Sequence, residues 1–234
     1  MFYFKNKILY FFQLLVISFN YIFNKNFNEK ELLKNNLRKN AVVFDVGSNL
    51  GSYIAFVDKT CNKSTIAFHS FEPNKKIIQF QKQIRLKAKN NLFLNNKAVL
   101  DKHGDLINFY ERSISSHSSV IPLPKMSAIS EPIDQYKVET VRLDSYCVEN
   151  HIDYIDILKI DAEGVDFQVL LSCENLLKNN KINLIKIEVW AEDLNTYHIF
   201  QYLNNFNFQL VGMTNHSYLN NKLKFYDAYF LKMK

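Results

Sequence analysis

A chain of 234 residues that is 47% hydrophobic and 15% aromatic can bury a full core, which excludes a disordered protein. Its net charge of +6 sits mostly in residues 1–39, where seven Lys/Arg face two Asp/Glu; the rest carries 22 against 21, which excludes the basic surface that nucleic acid selects. Three scattered cysteines, Cys61, Cys147 and Cys173, form neither a disulfide framework nor a metal-ligand spacing and fit a reducing, cytoplasmic compartment.

Residues 1–39 read as an N-terminal extension and 40–234 as one domain. Ile8 to Phe23 is apolar except for Gln13, Ser18 and Asn20, with Lys5 and Lys7 before it and Lys25 after it. The run is shorter than a membrane span needs, and no small-x-small cleavage site follows it. Asn6, Gln13, Asn20 and Asn24 share one narrow helical face. The spacing predicts an amphipathic helix, packed on its own sheet or a dimer mate, or lying on the inner face of a membrane through residues 1–25; an uncleaved anchor is the remaining alternative. Residues 27–39 predict a short helix leading into the first strand.

The stretch Val42-Val43-Phe44-Asp45-Val46-Gly47-Ser48-Asn49-Leu50-Gly51 reads as a buried strand, a tight turn and a helix start. The chain has five glycines, at 47, 51, 104, 164 and 212, and two of them fall here. A helix over 52–58, a strand over 64–71 ending at Glu72-Pro73, and a helix over 74–89 follow. Strands are predicted at 91–99, 106–110 and 136–143, with a Ser- and Pro-rich loop over 113–135. Ile155 to Ile160 reads as a buried strand ending in Asp161-Ala162-Glu163-Gly164. A helix over 165–177, a strand over 182–189, a helix over 196–204 and short strands at 208–213 and 228–233 complete the chain. This alternation predicts an α/β fold: a doubly wound, mostly parallel, Rossmann-like sheet with an antiparallel C-terminal strand.

Ligands of such sheets sit outside the carboxyl ends of the strands, and three of those ends are acidic. Glu72, 27 residues after Asp45, is placed to accept both hydroxyls of a ribose; the alternative is a carboxylate that caps the helix after it. Asp45 heads a turn that lacks the glycine a pyrophosphate needs, and its charge would repel one. An acidic turn suits a cofactor with a cationic amino-acid part, S-adenosyl-L-methionine. Asp45 would act on its ammonium through water or the backbone, while Gly47 and Gly51 leave room for the methionine part.

These residues resemble the FkbM-type methyltransferases. The resemblance rests on Val43 to Gly51, Phe71-Glu72-Pro73, Asn96-Lys97-Ala98-Val99 with Gly104 behind it, and Leu143-Asp144. It also rests on Ile157 to Gly164 with Leu170-Leu171. It covers residues 40–195 and implies the class I methyltransferase fold, S-adenosylmethionine as methyl donor, and O-methylation of a sugar or natural-product hydroxyl. The expected cofactor residues are Asp45, Gly47, Ser48, Asn49, Gly51, Glu72, Pro73 and Ala98.

An acceptor hydroxyl needs its proton removed or a metal to polarise it. Asp161 and Glu163 are the candidate bases, with Lys159 as a further catalytic candidate or as the partner of a nearby acid. Asp161 and Glu188 could instead ligate a divalent metal. His69 and His117 are the histidines best placed to reach the site, and Trp190 either stacks on a sugar face or belongs to the core. A non-catalytic, cofactor-binding interaction protein is the alternative to an enzyme. A nicotinamide dehydrogenase is opposed by the acidic turn.

Overall fold

The computed structural model describes residues 27–233 except 62–64, 85, 88, 113–117, 122–131 and 192–193. The predicted helix of residues 1–25, most of the loop 113–135 and His117 lie outside the described residues. Helix α1 (Glu29–Asn36) leads to strand β1 (Asn40–Val46), α2 (Ser52–Thr60), β2 (Thr65–Phe71) and α3 (Lys75–Gln81). Strands β3 (Asn91–Asn95), β4 (Ala98–Val99), β5 (Leu106–Arg112) and β6 (Pro132–Val141) follow. Next come α4 (Leu143–Glu149), β7 (Ile155–Ile160), α5 (Asp166–Ser172) and α6 (Glu174–Lys178). Strand β8 (Ile182–Trp190), α7 (Leu194–Asn205), β9 (Phe208–Leu219) and β10 (Lys222–Lys232) complete the order.

The main sheet has the order β3-β2-β1-β7-β8-β10-β9. Strands β3, β2, β1, β7 and β8 are parallel, and β10 runs antiparallel between β8 and β9. This is the fold class that the sequence predicts. Every residue of the central strand β7 is buried, as expected of a parallel strand covered on both faces. One face carries Phe44, Leu158, Ile160, Ile185 and Ile187 against α4 to α7. The other carries Val43, Phe68, Ile157 and Leu184 against Ile54 and Val57 of α2 and Leu33 of α1. Leu33 is fully buried, so α1 contributes to the core of the domain. Asp156 ties the chain between α1 and β1 to β7: its carboxylate accepts from the Arg38 guanidinium and from the backbone N–H groups of Arg38 and Val42. Among the described residues no helix is long and apolar enough to cross a membrane.

Several elements differ from the sequence expectation. The helix predicted over 74–89 ends at Gln81, where the chain turns so that Ile84 lies against Gly51. The helix predicted over 165–177 is two, α5 and α6, broken at Cys173; Asp144 caps the second by accepting from Asn175 N and Leu176 N. Helix α4 is an addition to the predicted elements, because its first residue, Leu143, reads as the end of the strand over 136–143. The predicted short end strands are one long hairpin. Asn220 and Asn221, both at positive φ, form its two-residue turn, a conformation asparagine tolerates and two-residue hairpins require.

Candidate active site

Strand β1 delivers the glycine turn to the carboxyl edge of the sheet, next to β2 and β7. Gly47 N and Ser48 N both donate to Phe71 O, which fastens the turn to the end of β2. Gly47 has φ +67, and a Cβ there would stand 1.8 Å from the carbonyl oxygen of Asp161. Gly51 has φ +76, and its Cβ would meet the Ile84 side chain. Both glycines therefore serve close packing and a left-handed backbone, and Gly47 also lines the cavity described below. Behind the turn, Ser48, Ser70 and Gln81 form a buried hydrogen-bonded group, and the Gln81 amide also donates to Asn49 O.

Asp45 does not face the open cavity. It is 1% exposed, and its Oδ1 lies 3.1 Å from Lys159 Nζ, outside hydrogen-bond alignment. Lys159 in turn lies 3.3 Å from Asp161 Oδ2 and donates to Gly47 O at 3.0 Å. Burial would lower the Lys159 pKa, but the charges of Asp161 and Asp45 outweigh it and hold the ammonium above its ordinary value. Burial pushes the Asp45 carboxyl up against the pull of Lys159. Lys159 is thus a charged staple of the turn, the paired role that the sequence reading offered beside a catalytic one.

Glu72 closes the β2 end. Its Oε2 accepts from Asn49 N at 2.9 Å and its Oε1 from Asn74 N at 2.8 Å. The helix-entry role is therefore in place, and each oxygen keeps a lone pair for a ligand. Burial raises its pKa to about 7.

The turn after β7 places Glu163 at φ +50 and Gly164 at φ +95. Asp166 holds this turn, with Oδ1 accepting from Ala162 N and Oδ2 from Gly164 N. Ser119 Oγ donates to Glu163 O, which joins the turn to the strap beyond β5. Burial, with the negative charges of Asp161 and Asp166, raises the Glu163 carboxyl to about 8. Burial, with Asp161 and Glu163, raises Glu188 to about 9. Among the described residues no set of three His, Cys, Asp or Glu side chains converges to hold a metal. His69 is also placed away from the chemistry: it is buried, bonds Tyr146 through Nδ1, and burial lowers its pKa to about 4.

A cavity of about 800 Å³ joins these parts. Gly47, Ser48, Asn49, Glu72, Pro73 and Ala98 line one arm, Asp161 and Glu163 the middle, and Lys186, Glu188, Phe225 and Asp227 the other arm. Tyr53, in the first turn of α2, also lines it, and its buried hydroxyl has no hydrogen-bond partner among the described residues. The hairpin wall and Lys186 escaped sequence reasoning. The signal for Lys186 was present, since it is a lysine inside an apolar strand like Lys159. Trp190 is 45% exposed and so does not belong to the core.

The family described as Methyltransferase FkbM domain matches residues 45–210. Methyltransferase FkbM from Methylobacillus flagellatus KT has a similar structure, with a TM-score of 0.54 and 13% identity over 82% of this chain and 44% of that one. This chain therefore spans less than half the length of that protein. An rRNA methylase from Streptococcus thermophilus gives a TM-score of 0.51 and 12% identity over 88% of this chain and 94% of its own. At such identities both likenesses speak to the fold. No curated protein matches the sequence. The family match spans well over half of the residues and contains the glycine turn, Glu72 and the Asp161–Gly164 turn: the chain belongs to the FkbM methyltransferases, a family of S-adenosylmethionine-dependent enzymes.

Proposed function

We propose that this protein is an O-methyltransferase that modifies a hydroxyl of a sugar, in a cell-surface glycan or a natural product. The observation that carries this reading is Glu163. A left-handed turn braced by Asp166 holds its carboxyl in the middle of the cavity, between the arm beside the glycine turn and the arm beside the hairpin. The first arm fits S-adenosylmethionine: Glu72 retains lone pairs for ribose hydroxyls, Pro73 and Ala98 offer apolar walls, and the surplus of carboxylates favours a cation. The sulfonium supplies a methyl group that is already strongly electrophilic.

The chain's own residues then orient and deprotonate. The Ser48–Asn49 turn and Glu72 position the donor, with Asp45 and Lys159 setting the turn from behind. Glu163, in its carboxylate form, accepts the proton that the acceptor hydroxyl loses as the new C–O bond forms. Asp161 is already engaged by the Lys159 ammonium, which leaves Glu163 as the base without a salt-bridge partner among the described residues. The catalytic domain is read as residues 40–234 together with α1, whose Leu33 packs into its core, and the residues before α1 as an extension. The basic, apolar character of residues 1–25 supports a cytoplasmic enzyme held at the inner face of a membrane.

Calorimetry with S-adenosylhomocysteine tests the donor arm, and absence of binding would sink the reading. Formation of S-adenosylhomocysteine on addition of a glycan pool, lost in Glu163→Gln with affinity for the uncharged S-adenosylhomocysteine kept, separates an enzyme from a cofactor-binding interaction protein.

A further inference from the structure

One face of the β8–β10 ribbon is ordered in three rungs, of which Lys186, Glu188, Asp227 and Phe225 line the cavity, while Tyr229 lies buried beneath it and Trp190 stands exposed beside its rim. Antiparallel register pairs Lys186 with Tyr229, Glu188 with Asp227, and Trp190 with Phe225. Alternate residues of a strand share a face and direct cross-strand partners lie side by side, so the rungs stack outward from the sheet interior to its edge. The innermost rung is cationic: Lys186 Nζ lies 3.0 Å from Asp227 Oδ2 and 3.4 Å from Glu29 Oε1. The middle rung holds two carboxylates, and Glu188 and Asp227 both line the cavity. The outermost rung is an aromatic pair with ring centroids 5.4 Å apart, of which Trp190 remains half exposed. Tyr218, 64% exposed on β9, stands on the same wall.

We propose that this three-rung face is the acceptor platform and that it takes a glycosyl ring. The inference rests on the methyltransferase reading and deepens it. A pyranose has an apolar C–H face and a rim of hydroxyls. The Trp190–Phe225 rung covers the face, and the Glu188–Asp227 rung hydrogen-bonds neighbouring hydroxyls, Glu188 as a carboxyl that both donates and accepts and Asp227 as an acceptor. Aromatic rings beside carboxylates also suit an organic cation. Here the Lys186 ammonium already occupies the carboxylate rung from below, which disfavours a second positive charge. Position agrees with this role. The platform lies over β8 and β10, the glycine turn and Glu72 lie over β1 and β2, and Glu163 follows β7 between them. The family match ends at residue 210, so Tyr218, Phe225 and Asp227 belong to the part of the cavity that the shared domain does not specify.

Saturation-transfer NMR with the full chain, saturating S-adenosylhomocysteine and a set of methyl glycosides tests the platform, with choline as the competing cation. Transfer to ring C–H protons of at least one glycoside is expected. Trp190→Ala and Phe225→Ala should weaken that binding by about tenfold, with S-adenosylhomocysteine affinity held within about twofold. Trp190→Phe keeps an aromatic face and should retain binding. If S-adenosylhomocysteine binds but no glycoside does, if choline is preferred, or if Trp190→Ala and Phe225→Ala leave glycoside binding unchanged, the platform is wrong and the donor reading stands. If S-adenosylhomocysteine itself fails to bind, the donor reading falls and the platform with it.

Discussion

Replacing Lys159 with methionine should cost this protein a large part of its stability. Lys159 lies between Asp45 and Asp161, and its ammonium also reaches Gly47 O. Asp161 is 38% exposed at its side chain and can turn to water, whereas Asp45 is buried with no hydrogen-bonded partner to replace the ammonium. Breaking a buried pair from one side costs about 3–5 kcal/mol, because the remaining charge is stranded. Domain stabilities are about 5–15 kcal/mol, so the variant is expected to fold only marginally. With a urea dependence of about 2 kcal/mol per molar, the midpoint should fall by about 2 M. Lys159 has a folded-state pKa raised above its unfolded value. Its contribution is complete below about 10.4 and is lost only as pH rises through the folded value, so the measurement belongs at neutral pH. The decisive assay is a double-mutant cycle by urea unfolding, with Asp45→Asn, Lys159→Met and the pair together. The pair should lose much less than the two single losses added, since neither charge is then stranded. Strictly additive losses, or a single loss below about 1 kcal/mol, would refute the assignment of Lys159 as the counter-charge of a buried Asp45.

Gly47→Ala should destabilise by more than about 2 kcal/mol, because a left-handed backbone and a fixed carbonyl oppose the new Cβ; Gly51→Ala should cost about half as much, since the Ile84 side chain can yield. Urea midpoints compare the two, and equal costs would count against the close approach of the β1 turn to Asp161. Glu72, Glu163 and Glu188 all have folded pKa values raised, to about 7, 8 and 9. Each therefore contributes stability that is complete below about 4.3 and lost as pH rises through its folded value. The thermal midpoint should fall between pH 6 and pH 9, and Glu163→Gln with Glu188→Gln should flatten the slope; a midpoint that rises over this range would contradict their burial. Methyl transfer should run the other way, rising with pH as Glu163 ionises, provided a glycan acceptor is in hand. Asp144→Ala removes the cap of α6 and should cost about 1–2 kcal/mol in urea unfolding, with S-adenosylhomocysteine affinity unchanged. A loss of affinity would place Asp144 in the site after all.

The parts of the site that lie within one strand–turn–helix unit were legible in the sequence. Apolar runs bounded by Asp45 and Gly47, by Glu72 and Pro73, and by Asp161 and Gly164 mark three strand ends, and a parallel sheet brings such ends to one edge. What each acid then touches was not legible, because it depends on neighbours distant in the chain. Asp45 turns to Lys159 behind the glycine turn, Asp227 to Lys186, and Asp156 to Arg38. Strand periodicity gives the face of a side chain but not its partner across the sheet. The hairpin was truncated for a different reason: Asn220-Asn221 carries a turn signal weaker than an Asn-Gly pair, and the polar residues of β9 hid the strand around it.

The sheet explains why lysines stand inside its strands at all. Register aligns Ser70, Asp45, Lys159, Lys186 and Tyr229 in one row across five strands, on the face that carries α1 and α2. Such a face is normally apolar this deep. Two residues nearer the edge stand Glu72, Gly47, Asp161, Glu188 and Asp227, the row that meets the cavity. Four of these five are acids, and a row of carboxylates over an apolar layer would be protonated or driven apart. The two lysines supply positive charge from beneath. Lys159 reaches Asp161 under the middle of the cavity, and Lys186 reaches Asp227 under the hairpin arm. Glu72, Glu163 and Glu188 have no ion-pairing lysine at salt-bridge distance among the described residues, and these are the carboxyls that burial and their neighbours push up. The inner row thus decides which acids are ion-paired into the walls and leaves Glu72, Glu163 and Glu188 as the carboxyls pushed towards holding a proton until a ligand arrives. A cationic donor entering beside Glu163 stabilises its carboxylate and readies it to take a proton from the acceptor, which couples the base's ionisation to occupancy of the donor arm.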